Sequence, residues 1–169
     1  RIDSSLSCNS NNYYQSTVPV LMFNIGQLHV LGGDDTSAVK YFMYALNIID
    51  RTNSNSAACI PMQTSRANET FGSMDAIPIL HNLGRIYYRD QNYKLAMSMY
   101  AKALDIAKEP HNDDMQACAC ALNCLGVIFF HMSTNSDAYA TKALAVLTTS
   151  LTIRKSLLAS NNGASVEES

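Results

Sequence analysis

The chain has 169 residues, with 12 basic and 14 acidic side chains and a formal net charge of -2. This balance argues against a protein held on nucleic acid or on an anionic membrane by bulk charge. Charged residues make up only 15% of the chain, against roughly 25% in an average soluble domain. A surface so poor in charge suits a chain that shares much of it with a protein partner.

The five cysteines are an odd number, and three of them lie within seven residues, so they do not form a disulfide framework. They are Cys8, Cys59, Cys118, Cys120 and Cys124. We therefore expect an intracellular reducing compartment, either the cytoplasm or, since the chain begins at Arg1, an organelle interior such as the plastid stroma after removal of a targeting segment. The longest nearly apolar run, residues 117–130, is too short to span a bilayer, so we predict no transmembrane segment.

The chain opens with a polar segment, residues 1–18, that is rich in Ser and Asn and has no clear helical period. After it, three stretches align on a glycine: MFNIG, LHNLG and LNCLG, around Gly26, Gly84 and Gly126. Each has a large apolar residue four positions before the glycine and another directly before it. Glycine within a helix costs up to about 1 kcal/mol relative to alanine, a cost that close approach of a partner helix would justify.

A second pattern follows each glycine and predicts a second helix. Twelve residues after Gly26 and Gly84 stands an alanine, followed by an aromatic residue and then by an Ala-Leu pair. In the third stretch the equivalents are displaced by five inserted residues. The matched residues are Ala38, Phe42 and Ala45 in the first stretch, Ala96, Tyr100 and Ala103 in the second, and Ala143, Leu147 and Ser150 in the third.

These glycine-centred patterns resemble the tetratricopeptide repeat, in which each unit is a pair of antiparallel helices. The resemblance implies an all-α fold, an antiparallel helix-pair solenoid of three repeats with a long loop between repeats 1 and 2. The second stretch matches the repeat almost completely. The last two glycines are 42 residues apart, longer than the 34-residue standard. Together with the ending LTIRKSL, this spacing resembles the long-helix variety found in kinesin light chains. The repeats are assigned to residues 19–50, 75–109 and 113–159, the third with an insertion.

Polar residues predict where the second helices start and where the chain leaves the repeats. Suitable N-caps are Asp34 or Asp35, Asn92, and one of Asn135, Ser136 and Asp137. Residues 51–74 are rich in Ser, Asn and Thr and are predicted to be a polar loop, either a partner-contacting excursion or a tolerated insertion. Residues 160–169 are predicted to be a disordered tail.

No motif in the sequence predicts catalysis, so we expect no enzyme activity, no catalytic residue and no cofactor. The four histidines are scattered, and no Ser or Cys lies in a nucleophile-elbow sequence. Cys120, Cys124 and His131 share one helix face and could in principle bind a soft metal ion. A structural zinc site needs four ligands, however, so we favour small apolar fillers in a packed helix and predict no metal.

Binding is the better hypothesis. In the repeat family the first helix of each unit lines a concave groove that receives a partner segment. The resemblance assigns the following residues to this groove: Phe23, Asn24, Gln27 and Val30 from the first repeat, His81, Asn82, Arg85, Tyr88 and Arg89 from the second, and Asn123, Cys124, Val127, Phe130 and His131 from the third. The clamp by which chaperone-binding repeats grip a C-terminal carboxylate is mostly missing here, although Asn82 fits it.

The last predicted helix carries a leucine stripe, Leu144, Leu147, Leu151 and Leu158, that no polar capping helix follows. We therefore expect a non-catalytic interaction scaffold that docks protein surfaces through its groove and its uncapped face, as an accessory subunit of a larger stable assembly. The alternative is a transient adaptor that binds linear peptide segments in the groove. We expect protein partners, no nucleic acid and no small-molecule ligand.

Overall fold

The computed structural model describes residues 5–56, 76–110 and 114–163. They form six α-helices: α1 (Ser5–Leu31), α2 (Asp35–Ser56), α3 (Ala76–Arg89), α4 (Tyr93–Ala107), α5 (Met115–Met132) and α6 (Asp137–Gly163). A short 3-10 turn, Ser133–Asn135, lies between α5 and α6, and no strand occurs within the described ranges. The chain divides into two compact units, Arg1–Ile79 and Leu80–Ser169, with the boundary inside α3.

The first unit holds the helix pair α1 and α2, joined by a tight turn. Gly33 takes a positive φ of 79°, a conformation that glycine adopts without steric cost. The Asp34 carboxylate accepts a hydrogen bond of 3.0 Å from the backbone N–H of Ser37, which caps α2. A Cβ placed on Gly26 would lie 2.6 Å from Phe42 Cε1, so the glycine allows α1 and α2 to approach closely.

The second unit repeats this arrangement in α3 and α4 and adds α5 and α6. Asn92 caps α4 by accepting a 3.3 Å hydrogen bond from the Leu95 N–H. A Cβ on Gly84 would meet the ring of Tyr100, and a Cβ on Gly126 would lie 2.5 Å from Leu147 Cγ. The predicted close helix approach at the three glycines is therefore confirmed.

Ser150 explains one departure of the third stretch from the repeat pattern. It is buried where the other two pairs have Ala45 and Ala103. Its hydroxyl donates a 2.8 Å hydrogen bond to the backbone carbonyl of Ala119 on α5. A buried polar group needs such a partner, so the third pair tolerates serine at a position where alanine stands elsewhere.

The fold-class prediction is confirmed: the described chain is helical, and its helices pack pairwise in sequence order as in tetratricopeptide-type helix hairpins. Of the three predicted N-caps, the one for α2 is Asp34 and the one for α4 is Asn92. For α6, the residue directly before the helix is Ser136, whose hydroxyl accepts a 3.3 Å hydrogen bond from the Ala138 N–H. The five-residue insertion lies between Gly126 and Ala143, a stretch that contains the three-residue 3-10 turn Ser133–Asn135 and the start of α6.

Three helices run further than the sequence predicted. The helix α1 begins at Ser5, inside the segment 1–18 predicted to lie outside the repeats, α2 continues into the predicted loop as far as Ser56, and α6 reaches Gly163 in the predicted disordered tail. Extending a nucleated helix costs little per residue, so these stretches need no apolar period. The remainder of the loop, residues 57–74, and of the tail, residues 164–169, lies outside the described residues, and the repeat boundaries stay predictions.

Candidate functional site

In the first unit, the predicted groove residues lie along the surface of α1. Asn24 and Gln27 are exposed, while Phe23 and Val30 are half-buried. The ring of Phe23 lies 5.8 Å from that of Phe42, the aromatic residue that packs on Gly26. Phe23 is thus partly a packing residue, and the polar pair is the part of this set most open to a partner.

On α3, the predicted residues combine exposed cations with half-buried polar groups. Arg85 and Arg89 are exposed, and His81, Asn82 and Tyr88 are half-buried. The His81 ring meets the Tyr100 ring edge-on at 5.4 Å, and His81 Nε2 is buried without a hydrogen-bond partner. This burial lowers the pKa of His81 below its ordinary value of 6.5, so the imidazole is neutral at pH 7.

An aromatic cluster, Tyr88, Tyr93, Phe130 and His131, joins α3, α4 and α5. The ring of His131 lies 5.6 Å from Tyr88, 5.9 Å from Phe130 and 6.3 Å from Tyr93, and the two tyrosine rings are 5.8 Å apart. Phe130 keeps 63% of its surface exposed. Desolvation, followed by the nearby Tyr93 phenol, raises the pKa of Tyr88. The Tyr88 phenol is therefore uncharged at pH 7.

The other predicted residues of α5 extend this surface. Asn123 is exposed, and Val127 is half-buried. Deeper in, the Tyr100 hydroxyl and the Cys124 thiol interact by a side-chain hydrogen bond. Burial is the main cause that raises the pKa of the Cys124 thiol and of the Tyr100 phenol. Both groups are protonated at pH 7, so they serve packing and hydrogen bonding.

The three cysteines of α5, Cys118, Cys120 and Cys124, are free thiols. Cys120 accepts a 3.6 Å hydrogen bond from Nη2 of Arg154 on α6. No three His, Cys, Asp or Glu side chains in the described part of the chain lie together as metal ligands. The grouping of Cys120, Cys124 and His131 on one helix face thus does not become a ligand set.

The charge of this surface is one-sided. Neither α3 nor α5 contains an Asp or a Glu residue, whereas α3 carries Arg85 and Arg89. The carboxylate of Asp114, directly before α5, accepts a 2.9 Å hydrogen bond from the Ala117 N–H and caps that helix. We call the surface formed by Arg85, Asn123 and the aromatic cluster the α3–α5 face. It offers guanidinium, amide and aromatic groups, which are suited to a neutral or acidic partner.

Sequence reasoning missed Tyr93 and Arg154, since it considered only the first helix of each repeat. Tyr93 opens α4 and stacks on His131 with an interplanar angle of 10°. The repeat alignment could have identified Arg154, because it occupies the position at which the first two helix pairs have the buried residues Ile49 and Ala107. A cation at a core position calls for a partner, and here that partner is a thiol.

Hairpins of two helices that meet at a glycine, with caps at the turns, define a class of helical-repeat proteins built for contact with other proteins. Residues 79–113, which include most of α3 and all of α4, match the family model of the tetratricopeptide repeat. This match supports a tetratricopeptide-type helix hairpin in that segment, while a likeness to kinesin light chains stays a prediction. Comparisons with curated proteins and with solved structures gave no match.

Among the described helices, α5 is long and apolar enough to cross a membrane by length and composition. The core helix of a soluble protein passes the same test, and α5 packs against both α4 and α6. This one helix therefore carries no conclusion about a membrane, and the absence of a transmembrane segment stays a prediction.

Proposed function

We propose that this protein is a non-catalytic interaction scaffold that works as an accessory subunit of a larger stable assembly. Tetratricopeptide repeats generally mediate protein–protein interactions and are generally non-catalytic. The observation that carries the proposal is the α3–α5 face, where Phe130 is 63% exposed beside the ring of His131, which in turn contacts Tyr88 and Tyr93, and no acidic residue stands on either helix.

The chemistry of the α3–α5 face fits a protein contact. Tyr, Phe and Arg are enriched at the centres of protein interfaces, because they supply large contact areas with few flexible bonds or with fixed donor geometry. Tyr88 and Tyr93 hold the imidazole of His131 between two helices, so part of this surface is ordered before a partner arrives. Preorganisation of this kind lowers the entropic cost of binding.

A transient adaptor that binds linear peptide segments is the second candidate function. It is favoured by the exposed guanidinium of Arg85, one turn from Arg89 on a helix without carboxylates. Such a pair suits a short acidic segment. The two functions differ in lifetime: a subunit stays bound through fractionation, whereas an adaptor dissociates.

The test is native fractionation of the endogenous protein, with mass spectrometry of the proteins that co-migrate. We expect migration well above 18.5 kDa, the mass of one chain. Re-expressed Phe130→Asp should leave the large fraction, because it replaces the most exposed ring of the aromatic cluster with a charge. Tyr44→Asp is the matched control, since Tyr44 is an exposed aromatic residue on α2, outside this face.

Each outcome has a distinct meaning. Migration of the wild-type protein near the mass of one chain would overturn the subunit hypothesis and leave the adaptor. Retention of Phe130→Asp in the large fraction would show that another surface makes the contact. Equal loss by both variants would indicate a general defect in folding, which a comparison of their circular dichroism spectra would reveal.

We also propose that the protein works in a reducing compartment, the cytoplasm or, alternatively, an organelle interior. The support is that Cys118, Cys120 and Cys124 are free thiols on one helix. Fractionation of cells that express the tagged protein, followed by thiol trapping, tests this. Recovery in a secretory fraction with oxidised cysteines would refute it.

A further inference from the structure

The three cysteines of α5 have different surroundings, although they lie close together along the helix. Cys118 is 4% exposed. Cys124 is half-buried and hydrogen-bonded to Tyr100, and burial raises the pKa of its thiol. Cys120 is half-buried as well, and its sulfur accepts a hydrogen bond of 3.6 Å from Nη2 of Arg154. Cys120 therefore differs from Cys118 in its exposure and from Cys124 in having a cationic hydrogen-bond donor at its sulfur.

The guanidinium of Arg154 suits Cys120 to nucleophilic attack. The nucleophile of thiol chemistry is the thiolate, and reactive cysteines lie in partially exposed, electropositive surroundings. A donor that carries a positive charge stabilises the negative charge on the Cys120 sulfur as it attacks. Arg154 is half-buried, so water and salt screen its charge less than that of a fully exposed cation.

The charges around Cys120 favour an anionic reagent. Arg85 on α3 and Arg154 on α6 both act electrostatically on the thiol of Cys124, which lies one helical turn from Cys120. Neither α3 nor α5 contains an Asp or a Glu residue, and the acidic residue of α6, Asp137, lies in its first turn. Two guanidiniums on helices so poor in carboxylates attract a disulfide that itself bears carboxylates, such as glutathione disulfide.

Helix geometry decides the product of such an attack. The Cβ atoms of residues four apart on a helix are about 5–6 Å from each other, whereas a disulfide requires about 3.5–4.5 Å between its Cβ atoms. Cys124 therefore cannot displace a group bound to Cys120 while α5 stays helical. Cys118, two residues from Cys120, does not face it. A mixed disulfide at Cys120 is thus a lasting product rather than an intermediate on the way to an internal disulfide.

We infer that Cys120 is a thiolation site, at which its thiolate attacks one sulfur of an anionic low-molecular-weight disulfide such as glutathione disulfide. The S–S bond of the reagent breaks, and a new S–S bond forms to Cys120. The released thiolate takes up the proton that the Cys120 thiol has lost to solvent. The Cys120 sulfur is oxidised and the released sulfur is reduced, so the reaction needs no further oxidant. The inference is independent of the proposed function, which rests on partner binding at the α3–α5 face.

The test incubates the full chain with glutathione disulfide under native conditions and follows each cysteine of α5 over time by mass spectrometry with fragment sequencing. We expect one glutathione on α5, at Cys120, added at least about tenfold faster than at Cys118 or Cys124. Arg154→Gln should slow the addition at Cys120 by about tenfold, the effect of removing a hydrogen bond from a charged donor. Lys155→Gln is the matched control, because it removes an exposed cation from the next position of α6.

A second reagent tests the role of charge. Hydroxyethyl disulfide is neutral, so Arg85→Gln should slow the addition of glutathione and leave the addition of the neutral thiol unchanged. Equal slowing of both reagents would overturn the preference for an anionic disulfide. Unchanged helical circular dichroism verifies the folding of each variant. If Arg154→Gln is unfolded, Arg154→Met replaces it, because the other two helix pairs have apolar residues at this position.

Three further results would overturn the inference. The first is a native chain in which Cys120 reacts no faster than Cys124. The second is a rate at Cys120 that Arg154→Gln and Lys155→Gln change equally, since the hydrogen bond from Arg154 then has no special effect. The third is an internal disulfide on α5, seen as the loss of two hydrogens without added glutathione. A failure of the Phe130→Asp experiment leaves all these measurements unaffected.

Discussion

The Gly84–Tyr100 contact gives the sharpest test of how the helix pairs are held together. We expect Gly84→Ala to destabilise the chain, although alanine is the better helix former by about 1 kcal/mol. The added Cβ would lie 2.7 Å from Cζ, 2.8 Å from Cε1 and 2.9 Å from Cε2 of the Tyr100 ring. Real Cβ atoms do not approach other heavy atoms so closely, so the ring or the helix must shift.

The ring has little freedom to move. Tyr100 is 3% exposed, its ring contacts the His81 ring edge-on, and its hydroxyl interacts with the Cys124 thiol by a hydrogen bond. Inserting a methyl group into a packed core typically costs about 1–3 kcal/mol, and the gain in helix propensity offsets part of this cost. We therefore expect the free energy of unfolding to fall by about 1–2 kcal/mol.

Urea denaturation followed by circular dichroism measures this change, and a double-mutant cycle assigns its cause. In a Tyr100→Leu background the ring atoms near Gly84 are absent, so Gly84→Ala should become neutral or stabilising. Gly32→Ala is the control for alanine itself, because a Cβ there meets its nearest atom at an ordinary 3.5 Å. An increase in stability for Gly84→Ala in the otherwise wild-type chain would refute the packing argument, since propensity alone predicts that increase.

The remaining predictions concern single groups in the second unit. Ser150→Ala should cost no more than about 1 kcal/mol, the value of one net hydrogen bond, whereas Ser150→Val should cost about 1–3 kcal/mol by overpacking; equal effects in urea denaturation would contradict this. Asn92→Ala should cost about 1 kcal/mol by loss of a cap, and Asn92→Asp should retain most of the stability. Burial lowers the pKa of His81 in the folded chain, so the imidazole of the unfolded chain is protonated first as the pH falls. The free energy of unfolding should therefore fall as the pH drops below 6.5. An equally steep fall in the His81→Gln variant would assign the effect to another group. Because burial raises its pKa, the Cys124 thiol should react slowly with iodoacetamide until urea unfolds the chain, and rapid labelling of the native protein, read by mass spectrometry, would argue against its burial.

Much of the fold could be predicted from local and periodic signals. Gly26, Gly84 and Gly126 each meet a large side chain of the following helix, as the repeated pattern predicts. Asp34 and Asn92 cap their helices because each has a side-chain oxygen within reach of an N–H three residues ahead. Helix caps and repeated glycines depend on residues close together along the chain, so they can be recognised in a single sequence.

The helix lengths could not be predicted in the same way. Residues 5–18 have neither an apolar period nor a Gly or Pro residue, and residues 160–163 hold a glycine only at the end of the helix, Gly163. Helical propensity is a weak prior there. Even Pro19, buried inside α1, does not end that helix. Whether such a stretch is helical depends on the stability of the helix that it extends. The residues of the stretch alone do not reveal that stability.

The candidate site likewise has features that could be predicted from the sequence and features that depend on helix packing. The resemblance to the tetratricopeptide repeat assigned residues of α3 and α5 to a binding groove, and that assignment stays a prediction. The packing of the helices brings Tyr93 to Tyr88 and His131 and Arg154 to Cys120, and it leaves leucines of α1 and α6 exposed. These contacts join residues that are distant along the chain, and their formation depends on how the helices pack rather than on any residue's immediate neighbours.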